Sequence, residues 1–158
     1  MKRLEVIELS QELRDLVGES QIAGRTTTFV RDGQPVAVLL SWDEYLATRE
    51  TLAVSTDPQL VATMRKSEAE AARGAIEQPF PDLEWIRLPR WLSSHDLDEA
   101  ARGALAGINQ DPISGVPLLE PFRGLWSRRD GTQRVVYRIV AESESIFVLA
   151  IQSGIGER

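Results

Sequence analysis

Hydrophobic and polar positions alternate in short segments along the chain, each bounded by Gly, Pro, Asp or Ser. Leu4 to Ile7 is a short strand candidate. Ser10 is placed to cap a helix with Leu13, Leu16 and Val17 on one face, which Gly18 and residues 19–24 are expected to end. Thr26-Thr27-Thr28-Phe29-Val30 is β-branched and reads as a strand. Asp32-Gly33 turns the chain, and Pro35-Val36-Ala37-Val38-Leu39-Leu40 returns as the partner strand. That unbroken apolar run predicts burial on both faces, between a helix and a second subunit. Ser41-Trp42-Asp43-Glu44 has capping-box spacing and opens a helix through Tyr45 and Leu46 to near Leu52. Asp57-Pro58 opens the next, with Leu60, Val61, Met64 and Ala71 at helical spacing. Its second half is rich in alanine and charge, so it is expected to lie on another part of the fold.

Gln78-Pro79-Phe80-Pro81-Asp82 reads as a linker, because its prolines forbid helix and favour extended chain. Leu83 to Leu88 follows as a strand. Ser94 or Asp96 is expected to cap a helix carrying Leu97, Ala101, Ala104, Leu105 and Ile108, stopped at Asp111-Pro112. Gly115 to Pro121 crosses irregularly into the strongest hairpin signal of the chain. There Gly124 to Arg129 and Gln133 to Tyr137 flank Asp130-Gly131. Val135, Tyr137 and Ile139 fall on one face, and Arg134, Val136 and Arg138 on the other. Ser145 to Gln152 is a last, buried strand. Helices and antiparallel strands in this order predict an α+β fold.

Composition narrows the function classes. The 158 residues suit one medium domain or two small ones, and a 42% hydrophobic fraction suits a folded core. No apolar run approaches the ~18 residues of a membrane span. Lys2 and Arg3 lead no apolar signal core, so a cytoplasmic location is expected. The sequence has no cysteine and one histidine, His95, which argues against thiolate zinc sites, histidine triads and disulfides. No cofactor and no metal are expected. The net charge of −6 argues against indiscriminate nucleic-acid binding but leaves room for a local basic patch. Such a patch stands out in the hairpin, where Arg123, Arg128, Arg129, Arg134 and Arg138 face one acid, Asp130. Arginines on one strand face bind phosphates through planar forks, or simply solvate the strand; the residues alone leave both open.

Leu118, Phe122-Arg123-Gly124-Leu125-Trp126-Ser127-Arg128-Arg129 and Gln133-Arg134-Val135-Val136-Tyr137 together resemble the YoeB branch of the RelE toxin superfamily, over about residues 83–158. Those toxins are small ribosome-dependent mRNA endonucleases. The resemblance implies that Arg134, helped by Arg128 and Arg129, serves the phosphate. The family's glutamate base precedes a Pro-Leu pair, where this chain has Val116 before Pro117-Leu118. The lysines of RelE relatives match Leu125 and Ser127, and the family's His-Tyr end matches Gly154-Ile155-Gly156-Glu157-Arg158. General base and acid are therefore missing at the matched positions, which predicts a catalytically impaired domain with vestigial phosphate-binding arginines.

The first half, over about residues 1–76, resembles the Phd/YefM antitoxin family. The matching residues are the helix around Glu12-Leu13, the hairpin from Phe29 to Leu39, and the helix starts at Ser41–Tyr45 and Asp57-Pro58. Members of that family dimerise through the small sheet, bind operator DNA and extend a C-terminal segment onto a toxin. The resemblance makes Arg31 the DNA-binding turn arginine, with Lys2, Arg3, Arg14 and Arg25 as nearby candidates; the family's first-helix arginine falls at Ser10. Together the two resemblances describe a natural fusion. Its expected parts are a dimerisation and DNA-binding domain at 1–56, a clamp helix at 57–78, a linker at 79–82 and a toxin-like domain at 83–158. The expected partners are a second copy of the chain, its own operator DNA and an intramolecular antitoxin–toxin contact, with no membrane. The competing readings are a competent endonuclease, acting on mRNA at the ribosome, held in check in cis and released by proteolysis near Pro79–Pro81, and a pure scaffold with neither activity.

Overall fold

Asp32 and Gly33 both adopt positive φ, 52° and 77°, as a two-residue hairpin turn of matching twist requires. In the computed structural model, which describes residues 2–92 and 94–156, this turn joins β1 (Thr27–Arg31) to β2 (Gln34–Leu39) in a two-stranded sheet. The chain divides into two compact units, one through Leu46 and one from Ala47 onward.

In the first unit the expected strand at 4–7 is a 3₁₀ turn over Val6–Glu8, with Glu5 and Glu8 closing a capping box. Reciprocal capping satisfies those backbone groups locally, and among the described residues no strand pairs with the segment. Helix α1 (Gln11–Ala23) starts at Ser10, whose side chain accepts from the Leu13 amide, as its position predicts. It runs through Gly18 and stops at Gly24, which takes the left-handed conformation with φ 59°. A single mid-helix glycine costs only about 1 kcal/mol, which does not end a helix. Strand β2 is not buried on both faces within the chain, since Val36 and Val38 remain 55% and 53% exposed. No hydrophobic residue before Ala47 is buried among those described.

Helix α2 (Trp42–Ser55) begins with both halves of the capping box formed: the Glu44 amide donates to Ser41 Oγ, and the Ser41 amide to Glu44. Its later turns bury Ala47, Glu50, Thr51 and Val54 in the second unit, which begins at Ala47. Helix α3 (Pro58–Ala72) follows, N-capped by Asp57.

The second unit is built on a six-stranded sheet of order β3-β4-β8-β7-β6-β5. Its strands are β3 (Ile76–Glu77), β4 (Ile86–Pro89), β5 (Val116–Pro117), β6 (Leu125–Asp130), β7 (Gln133–Val140) and β8 (Ser145–Gln152). Among the described residues only the β4–β8 pair is parallel. Gly131 and Thr132 form the β6–β7 turn, one residue beyond the expected centre. Helix α4 (Glu99–Gln110) is capped by Asp98, not by Ser94 or Asp96, which lie in a preceding 3₁₀ turn. Asp98 wins because its carboxylate reaches the Ala101 amide at 2.7 Å.

Each face of this sheet has its own core. On one, Ala104, Leu105 and Ile108 of α4 pack on Val135, Tyr137, Ile146 and Val148. Phe80, expected in a free linker, is buried in the same core with Leu83, beneath the Arg102 guanidinium. On the other face Val54, Leu60 and Met64 cover Leu118, Leu125, Val136, Phe147 and Leu149. A bulge in β8 skips Leu149 in the pairing with β7, and its carbonyl takes a hydrogen bond of 2.5 Å from Ser67 of α3. Ser67 also accepts from the Trp91 indole, over whose ring Lys66 sits. The alanine- and charge-rich half of α3 is thus held by a polar clasp where apolar area is short. No helix among the described residues is long and apolar enough to cross a membrane.

Burial of Tyr137 raises its phenol to about pKa 12, while the hydroxyl donates to the Pro112 carbonyl at 2.7 Å. The raised value favours the protonated form in the fold, so its contribution is intact below the free-phenol value of about 10 and is lost as pH climbs through 12. The denaturation midpoint should fall between these pH values, and Tyr137→Phe should flatten that fall. An unchanged slope in Tyr137→Phe would refute the assignment.

Candidate functional site

Register decides where the hairpin arginines go. Arg129 stands opposite Arg134 and Arg128 opposite Val135, so Arg128 lies on the α4 face and Arg134 on the face covered by α2 and α3. Arg128 spans Gly107 of α4, donates to Ser114 Oγ at 2.5 Å and pairs with Asp130 at 3.8 Å. Arg129 donates to the Gly156 carbonyl. The three arginines expected to share a phosphate do not converge, because strand alternation puts the sheet between Arg128 and Arg134.

Arg134 is 6% exposed and is held from within the chain. Its Nε donates to Glu50 Oε1 at 2.7 Å and its Nη1 to Gln152 Oε1 at 2.9 Å. Ser127 Oγ donates to the same Glu50 oxygen at 2.6 Å. Gln152 Nε2 donates to Asp57 Oδ2 at 2.6 Å, and the other Asp57 oxygen accepts from the Leu60 amide that starts α3. The Leu60 amide holds the Asp57 carboxyl below its ordinary range against desolvation, assisted by Gln152 and the Arg134 charge. A buried guanidinium is thus neutralised by one carboxylate directly and linked to a second through an amide. Its charge is thereby compensated inside the chain. Next to it, the Thr51 hydroxyl accepts from the Leu119 amide at 2.8 Å, fixing the same turn of α2 to the loop before β6.

The positions matched to the missing base and lysines lie around this group. Val116 begins β5 half-buried, while Leu125 and Ser127 are buried. His95 lies in the 3₁₀ turn over Ser94–Asp96. Glu157 and Arg158, part of the contrast with the toxin family's end, lie outside the described residues. Glu50 and Gln152 carry the site and were not singled out in the sequence. A signal for Glu50 existed, since Ala47, Glu50, Thr51 and Val54 form one helical stripe with a charge inside it.

In the first unit Lys2, Arg3, Arg25 and Arg31 are exposed and Arg14 is half-buried. Arg31 ends β1 beside the hairpin turn, whereas Arg25 is paired with Glu19 at 3.5 Å. Among the described residues no group of three or more His, Cys, Asp or Glu is placed to hold a metal.

No protein-family model matches the chain. The antitoxin RelB of Mycobacterium tuberculosis (strain ATCC 25618 / H37Rv) is 33% identical over 67 residues, which span 42% of this chain and 75% of that protein. A crystal structure of the toxin-antitoxin complex RelBE2 from Mycobacterium tuberculosis is 31% identical, over 37% of this chain and 75% of that one. Its TM-score of 0.33 is too low for the spatial likeness to bear on the fold. The sequence likeness to RelB places the chain among the proteins of toxin–antitoxin systems. Within that class, it belongs to the RelB antitoxin family.

Proposed function

We propose that the chain is a fused antitoxin and toxin that neutralises itself and acts as a dimeric, cytoplasmic operator-binding autoregulator. The observation carrying this reading is the Glu50–Arg134 pair: a carboxylate from the antitoxin-like half is buried against the arginine that the toxin-like hairpin would use on phosphate. Residues 47–77 supply the rest of the clamp, as α2 and α3 cover one sheet face and β3 pairs with β4. On this reading the toxin-like domain is impaired twice, by loss of its base and acid and by occupation of its cation. Release by a cut near Pro79–Pro81 is disfavoured, because Phe80 is anchored in the core.

The first unit supports the regulatory half of the proposal. About 46 residues without a buried apolar side chain fall short of an independent core, and Val30, Val36 and Val38 leave an apolar sheet uncovered. A second copy supplies that cover, and the dimer presents Arg31 from both turns to the DNA backbone.

A gel shift with the chain's own upstream DNA tests the reading. Binding should weaken with salt, and Arg31→Ala should reduce it well beyond Arg102→Ala, whose guanidinium is engaged by Asp82 and Phe80. Each lost phosphate contact lowers the salt slope by about one unit. No shift, or equal effects of the two substitutions, would remove DNA binding from the first unit.

A further inference from the structure

A directed chain of hydrogen bonds runs from β6 to the start of α3. Ser127 Oγ and Arg134 Nε donate to Glu50 Oε1 at 2.6 and 2.7 Å, and Arg134 Nη1 donates to Gln152 Oε1 at 2.9 Å. Gln152 Nε2 donates to Asp57 Oδ2 at 2.6 Å, while Asp57 Oδ1 accepts from the Leu60 amide at 3.0 Å. The Gln152 amide has one usable orientation here, because a guanidinium only donates and a carboxylate only accepts. Turning it over sets donor against donor and acceptor against acceptor.

This chain ties together two helices that are neighbours in sequence. Helix α2 ends at Ser55 and α3 starts at Pro58, with Thr56 and Asp57 between them. Glu50 holds the later turns of α2 to the sheet directly, and Asp57, the cap of α3, is held to it through Gln152. When Glu50 leaves Arg134, the guanidinium is free to turn away from Gln152. Gln152 then no longer holds Asp57 in place, and the cap of α3 loses its anchor.

We infer that Gln152 and Asp57 make the later turns of α2 and the start of α3 a single latch, so that both helices seat on the sheet or leave it in one step. Glu50 acts on α3 without touching it, through Arg134, Gln152 and the Asp57 cap. If residues 83–158 are toxin-like, as proposed above, the clamp is either open or shut, and α3 does not lift while Glu50 still holds Arg134. The latch itself rests on the geometry and stands without that reading.

Native-state hydrogen exchange in the full chain tests the latch. The Leu60 and Val61 amides, which bond to the Asp57 side chain and carbonyl, report on the start of α3. Glu50→Gln keeps the shape of the side chain and removes its charge. It should speed exchange at both amides by about tenfold or more, and by clearly less at Leu105 and Ile108 of α4 on the other sheet face. In a Gln152→Met background, where the bridge is gone, the same substitution should change Leu60 and Val61 by less than about threefold. Where Glu50→Gln does not fold, Glu50→Asp takes its place, keeping the charge and shortening its reach. Unchanged exchange at Leu60 and Val61 would show helices that move independently. An undiminished effect in Gln152→Met would show coupling by another route, and equal speeding in α4 would show opening of the whole domain. Each of these results overturns the latch and leaves operator binding untouched, whereas an intact latch with no DNA shift faults the functional reading alone.

Discussion

Cut away from residues 1–79, the five remaining strands of the sheet should not keep a native fold, and the fragment from Phe80 to Arg158 should be recovered unfolded or aggregated. The reason is the second core. Val54, Leu60 and Met64 are 0–4% exposed and lie over Leu118, Leu125, Val136, Phe147 and Leu149. Burying one such side chain stabilises by roughly 1.5–3 kcal/mol, so losing three removes about 5–9 kcal/mol, comparable with the ~5–15 kcal/mol stability of a whole domain. The cut also leaves Arg134 buried without Glu50, bares the edge of β4 that β3 covers, and strips Ser67 from the bulged Leu149 carbonyl. A fragment from Ala47 onward keeps all of these and should melt cooperatively. Near-ultraviolet circular dichroism and a thermal melt of the two fragments separate the outcomes. A cooperative transition in the shorter one would show that the sheet and α4 suffice, and that residues 47–79 are a detachable clamp.

The elements whose signals are local were legible in the sequence. Ser41 and Glu44 predicted a capping box that forms with both hydrogen bonds, and Asp57-Pro58 predicted a helix start that the Asp57 carboxylate caps. The alternation in β7 assigned Val135 and Tyr137 to one face and Arg134 and Val136 to the other, as the two cores have them. What was not legible depends on distant neighbours. Glu50 shares a helical stripe with Ala47, Thr51 and Val54, but its partner is hidden until β7 is placed against it, and Gln152 reads as the polar end of a strand. Phe80 sits among helix-breaking prolines, which describe its backbone correctly and say nothing of its side chain. The apolar run of β2 predicted cover on two faces, and Val36 and Val38 lack it within one chain. That is the sequence signal that most directly asks for a second copy.

Withdrawing Glu50 is not expected to create a toxin. In Glu50→Gln the shape of the side chain and the acceptor for Ser127 remain, while the charge that neutralises Arg134 is gone. Arg134, 6% exposed and without its counter-charge, would at most hold a phosphate and stabilise a pentavalent phosphorus. It would not remove the 2′-hydroxyl proton, because its pKa stays above ~12. The neighbouring positions offer no substitute: Val116 and Leu125 are apolar, and Ser127 is a hydroxyl beside a cation. Loss of a general base and of a general acid each costs about 10²–10⁴ in rate, or about 10⁴–10⁸ together if independent. That leaves cleavage too slow to matter during translation. Cells expressing the full chain with Glu50→Gln should therefore grow like those expressing the unaltered chain, and mapping of mRNA 5′ ends should show no new cuts. Growth arrest with fresh cuts, abolished by adding Arg134→Ala, would establish instead a competent endonuclease restrained by one carboxylate.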